Sequence, residues 1–134
     1  MKYGSKDVKA LPTKEIDITE FFTNPGGKIK LKIRHYSQYE AHEINALLLQ
    51  GQSFKRGTED EGEVNLKKFH MAEAFLARLK AGVVMDDDFP FEKWDDEFIQ
   101  ELDRINPEMT GYIHDQIQEY NRPFEKKKER KSNG

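Results

Sequence analysis

The sequence predicts a mainly α-helical α+β domain in which a small N-terminal β-hairpin packs on a bundle of about four helices. Three observations predict it. The run "KIKLKIR" alternates apolar and basic residues without a break, four later segments repeat apolar residues at spacings of three and four, and those segments carry capping signals at their ends. A chain of 134 residues suffices for one hydrophobic core. The apolar share of 36% and the charged share of 35% describe a small, heavily solvated domain.

Residues 1–13 have no periodicity and read as a flexible arm. In "KEIDI", Ile16 and Ile18 share one face of a short strand, and "TNPGG" is a dense turn signal. After the turn, Ile29, Leu31 and Ile33 point one way while Lys28, Lys30, Lys32 and Arg34 point the other. A hairpin over 14–35 follows, and so small a ribbon must lay its isoleucine face on the helices. The lysine row could track phosphates, but long lysines more simply blunt a strand edge against aggregation.

"SQYE" at 37–40 has the form of a capping box and opens a helix over about 38–50, with Ala41, Ile44, Leu47 and Leu48 on its stripe. A polar loop leads to a second helix over about 65–81, bearing Phe69, Ala72, Leu76 and Leu79 and closing at Gly82. The third, over about 94–105, repeats Trp94, Phe98, Leu102 and Ile105. Asn106 and Pro107 then supply the N-cap and first residue of a fourth, over 107–121, bearing Met109, Ile113, Ile117 and Tyr120. Residues 14–121 thus form one domain, and residues 122–134 a disordered basic tail.

That tail holds six Lys or Arg against two Glu, which leaves the rest of the chain at −7 for an overall charge of −3. Such a balance argues against a general nucleic-acid binder. The absence of cysteine removes disulfides, thiolate zinc sites and cysteine nucleophiles. No apolar run approaches the roughly 18 residues needed to span a bilayer, so a soluble, unexported, intracellular protein is expected.

The stretch "MDDDFPFEKWDDEF", residues 85–98, sets seven carboxylates among four aromatics. Taken as a calcium loop starting at Asp86, it places Pro90 where an oxygen ligand is needed and Phe91 where the sharp turn needs glycine. The acids are better used around the third helix's first turn, with Phe89, Phe91, Trp94 and Phe98 anchoring the loop. His35, His42, His70 and His114 form no H-x3-H or HExxH pattern, and there is no phosphate-binding glycine loop. Ser37 serves a helix start rather than nucleophilic attack. The expectation is a protein without catalytic residues, metal or cofactor.

The order of "GGKIKLKIRHYSQYEAHEI", a variable loop, "NLKKFHMAEAFLARLKAGV", an acidic aromatic loop, two helices joined at "INPEM" and a terminal "EYNRP" with a basic tail resembles the tail assembly chaperones of long-tailed bacteriophages. The resemblance implies a protein of the host bacterial cytoplasm, not in the mature virion. It would bind the tape measure protein and recruit tail tube subunits of the major tail protein. It also implies a longer frameshifted product, for which the codons of Lys126, Lys127 and Lys128 are the candidate slip site. The family's loop commonly carries a glycine turn where "MDDDFPF" has proline.

For a helical client, the residues to test are Ile113, Ile117, Tyr120 and Phe124. The simpler use of the first three is the domain core, in which case the client is met elsewhere, through self-association or the chain ends. The alternative function is a small nucleic-acid-binding regulator using Lys28, Lys30, Lys32, Arg34 and the tail lysines Lys126, Lys127 and Lys128.

Overall fold

The hairpin is built by its alternation. A computed structural model describes residues 1–52 and 61–122, without the side chains of 51, 52 and 61–69. In it β1 (Lys14–Asp17) pairs antiparallel with β2 (Lys30–Ile33), placing Ile16 opposite Leu31 and Glu15 opposite Lys32. Ile16, Ile18, Leu31 and Ile33 are buried, as a period of two requires. The ladder runs on past the strands: the N–H of Ile18 donates to the Ile29 carbonyl at 2.9 Å, and the N–H of Ile29 to Thr19 Oγ1 at 2.7 Å. Asp17 fixes that threonine by accepting from its backbone N–H at 2.9 Å and its hydroxyl at 2.5 Å. These two bonds, the side-chain one foremost, hold the Asp17 carboxyl below its ordinary range.

β2 is not an edge. The N–H of Arg34 donates to the Gly82 carbonyl and that of Val84 to the Lys32 carbonyl, both at 2.9 Å, with Val83 bridging Ile33. Lys32 and Arg34 therefore lie on a segment flanked on both sides, by β1 or its extension and by residues 82–84. This corrects the edge-blunting role for Lys32 and Arg34. No apolar alternation marks residues 82–84 as a pairing segment, so the sequence did not show it.

The four helices are α1 (Gln38–Gln52), α2 (Glu61–Gly82), α3 (Asp96–Ile105) and α4 (Pro107–Asn121). The capping box forms as expected: the Glu40 N–H donates to Ser37 Oγ at 3.0 Å, and the Ser37 N–H to Glu40 Oε1 at 2.9 Å. α2 starts at Glu61, before the expected residue 65. α3 starts after the expected residue 94. Asp95 is its N-cap, accepting from the Phe98 N–H at 2.9 Å, and Trp94 and Ile99 occupy the two positions of a hydrophobic staple. Asn106 ends α3 by donating to the Leu102 carbonyl and starts α4 by accepting from the Met109 N–H, with Pro107 at the first helical position.

The core joins the isoleucine face of the hairpin to Leu79, Val83, Trp94, Ile99, Met109, Ile113 and Ile117. Gly82 allows its tightest contact, since a Cβ there would collide with the Ile117 side chain. Thr110 is fully buried and donates its hydroxyl to Asp103 at 2.6 Å, tying α4 to α3. Ile105, expected on the buried stripe, is 71% exposed, while Ile99, absent from that stripe, is sealed. Ile99 shares the core cluster with Trp94, whereas Ile105 is the last residue of α3, at the turn into α4. α1 packs mainly on α2, and its buried Ile44 lies outside the main cluster.

Candidate interaction surfaces

The acidic loop acts as a strut. Trp94 is buried and donates its indole N–H to the Leu79 carbonyl at 2.9 Å, which satisfies its polar atom inside the core. Phe91 stacks on Trp94 at 5.3 Å between centroids and also meets Phe22, Phe89 and Phe98 at 6.0, 5.8 and 6.0 Å. Phe89, Phe91 and Phe98 are half-buried, so the tryptophan alone is enclosed. Asp86 reaches Lys32 at 2.8 Å, and Asp88 approaches the same ammonium at 3.6 Å. Their hydrogen bond holds the Asp86 carboxyl below its usual range and raises the Lys32 ammonium. Among the described residues no three His, Asp or Glu side chains converge as metal ligands.

The basic row is neutralised along most of its length. Lys30 pairs with Glu15 at 3.0 Å, Lys32 with Asp86, and Arg34 with Glu40 at 2.6 Å. Burial would raise the Glu40 carboxyl, but the bonds from Arg34 and Ser37 outweigh it and lower it. Lys28 alone of the four makes no ion pair among the described residues. A phosphate would have to displace three carboxylates from this face, which removes most of the gain from counterion release. Lys126, Lys127 and Lys128 lie outside the described residues.

Ile113 and Ile117 are both fully buried, so they belong to the core and offer no surface to a client. Tyr120 is half-buried, stacked on His35 at 4.1 Å, and its hydroxyl donates to the Pro12 carbonyl at 2.7 Å. Phe124 lies outside the described residues. The α4 stripe thus closes the domain and holds the root of the N-terminal arm. His114 sits on the same helix, 4.8 Å from Phe75 and with Nε2 3.3 Å from the Arg78 guanidinium. Burial, reinforced by Arg78 and opposed by Asp115, lowers the imidazole's pKa.

Exposed apolar side chains lie elsewhere, on α1 among other places. Tyr39 is 74% exposed and Leu49 65% exposed, and with Ala46 they occupy the outer face of α1, while Met71 on α2 is also exposed. Among the exposed residues of 38–50, Glu43 is the single formal charge, in a chain that is 35% charged. One signal could have located this face. The consecutive Leu47, Leu48 and Leu49 sweep about 200° of a helix, so one of them must leave the stripe.

Set against protein-family models, curated proteins and solved structures, the chain finds no match in any of the three. No helix among the described residues is long and apolar enough to cross a membrane.

Proposed function

We propose that this chain is a non-catalytic tail assembly chaperone of a long-tailed bacteriophage, acting in the host bacterial cytoplasm and left out of the mature virion. It binds the tape measure protein and brings tail tube subunits to it. The observation that supports this reading is the outer face of α1, where Tyr39, Ala46 and Leu49 form an almost uncharged surface beside the core. Apolar residues at spacings of seven and three are what a long amphipathic client helix packs against. Carboxylates and cations that would serve a reaction are instead spent on caps and strand pairing.

The test is co-expression of the full chain with a long helical tape measure protein. The wild-type chain should keep the client soluble and co-purify with it. The double variant Tyr39→Glu, Leu49→Glu should fold normally yet lose the client. If both chains hold the client equally, the α1 face is not the docking surface, and if neither does, the chaperone reading fails. A nucleic acid electrophoretic shift at low salt would favour the regulator reading instead.

A further inference from the structure

The N-terminal arm is the least covered apolar segment of the described chain. Met1, Tyr3, Val8 and Leu11 are exposed by 105, 75, 74 and 59%, and they alternate with Lys2, Lys6 and Lys9. The one carboxylate among residues 1–13, Asp7, is used locally, accepting from the Gly4 N–H at 2.8 Å. The arm is therefore basic, apolar and seated on nothing from residue 1 to residue 11. Its root is held where the Tyr120 hydroxyl meets Pro12.

A surface of opposite character lies at the other end of α4. Glu20, Phe21, Phe22, Asn106 and Glu108 line a cleft of about 460 Å³. Phe21 and Phe22 are half-buried, propped by Tyr112 and Phe91 at 5.7 and 6.0 Å, and form an aromatic floor. Neither Glu20 nor Glu108 has a cation partner among the described residues. The exposed Ile105 stands next to Asn106 in the chain. The cleft offers uncompensated negative charge above an apolar floor, and the arm offers positive charge and apolar side chains.

We propose that the arm of one copy occupies this cleft on a second copy, giving an arm-exchanged dimer. Charge complementarity selects the occupant, because the arm carries lysines against a body whose cleft carries only carboxylates. In the single chain the arm does not fold back onto its own cleft, since residues 1–11 are all exposed. About 13 residues of α4 separate the arm's anchor from the cleft, roughly 20 Å at the helical rise, and the single chain leaves the arm exposed along its length. Eleven extended residues span up to about 36 Å, enough to cross to a neighbour. Reciprocal exchange about a two-fold axis closes the assembly at two copies.

Light scattering on the full chain tests this. The wild-type protein should show a mass near twice the 15.7 kDa of one chain, and its association should weaken about tenfold or more as NaCl rises from ~0.05 to ~0.5 M. Removing residues 1–11 should give a monomer with an unchanged circular dichroism spectrum, as should Glu20→Lys with Glu108→Lys. Adding Lys6→Glu and Lys9→Glu to that charge-reversed chain should restore the dimer. A wild-type monomer at millimolar concentration overturns the proposal. So does a dimer that survives arm removal, or one insensitive to both charge reversals.

Discussion

The body and the α1–α2 hairpin are built from helices of similar composition, yet they bury apolar surface differently. The body encloses eleven aliphatic and aromatic residues, drawn from both strands, the end of α2, the acidic loop, α3 and α4. The hairpin's described residues contribute Ile44 and Ala74 outside that cluster, and leave Tyr39, Leu49 and Met71 exposed. The enclosed core therefore lies in the body, while α1 leaves part of its apolar side chains exposed. A helix stabilised mainly by one neighbour is free to trade part of its apolar face to a client.

The comparison breaks most visibly at Trp94. Trp94→Ala removes a large enclosed ring and the indole bond to Leu79, and should cost about 3–5 kcal/mol in a urea titration. Gly82→Ala should follow at about 1–3 kcal/mol, because the added methyl meets Ile117 in a tightly packed site. Ser37→Ala should cost about 1 kcal/mol by opening the cap of α1. Tyr39→Glu with Leu49→Glu should leave the unfolding free energy within about 1 kcal/mol of wild type, since both side chains already meet water. If that pair proves as destabilising as Trp94→Ala, the hairpin belongs to the core and the contrast is lost.

Acid should sharpen the same contrast on the α2–α4 seam. His114 has a lowered pKa in the folded chain, so the unfolded chain takes up a proton first as pH falls below the ordinary 6.5. Its contribution to stability is fully present above that value and is lost as pH falls through the folded pKa. Glu40 and Asp86, lowered from 4.5 and 3.8, act in the same sense at lower pH. Denaturation followed between pH 7 and 5 should show stability falling with acid, and His114→Gln should flatten that slope. An unchanged slope would mean that another group carries it.

Much of the fold was legible because its elements announce themselves locally. The alternation at 28–34, the box at Ser37 and Glu40, and the Asn106–Pro107 junction are each fixed by neighbours a few residues away. What was not legible depended on distant partners. The pairing of residues 82–84 with β2 and the salt bridge from Lys32 to Asp86 join segments some fifty residues apart, and no local pattern specifies them. The burial of Ile113 and Ile117 was ambiguous in the sequence for a related reason. Ile113 and Ile117 form a stripe that suits a client helix as well as a core, and only the approach of Gly82 and β2 decides between them.

Amide hydrogen exchange of the full chain with and without a long helical tape measure protein tests the division of labour most directly. Added protection is expected along α1, centred on Tyr39, Ala46 and Leu49, with Ile99, Ile113 and Ile117 in the body exchanging as slowly as before. Protection gained in α3 or α4 and absent from α1 would contradict it.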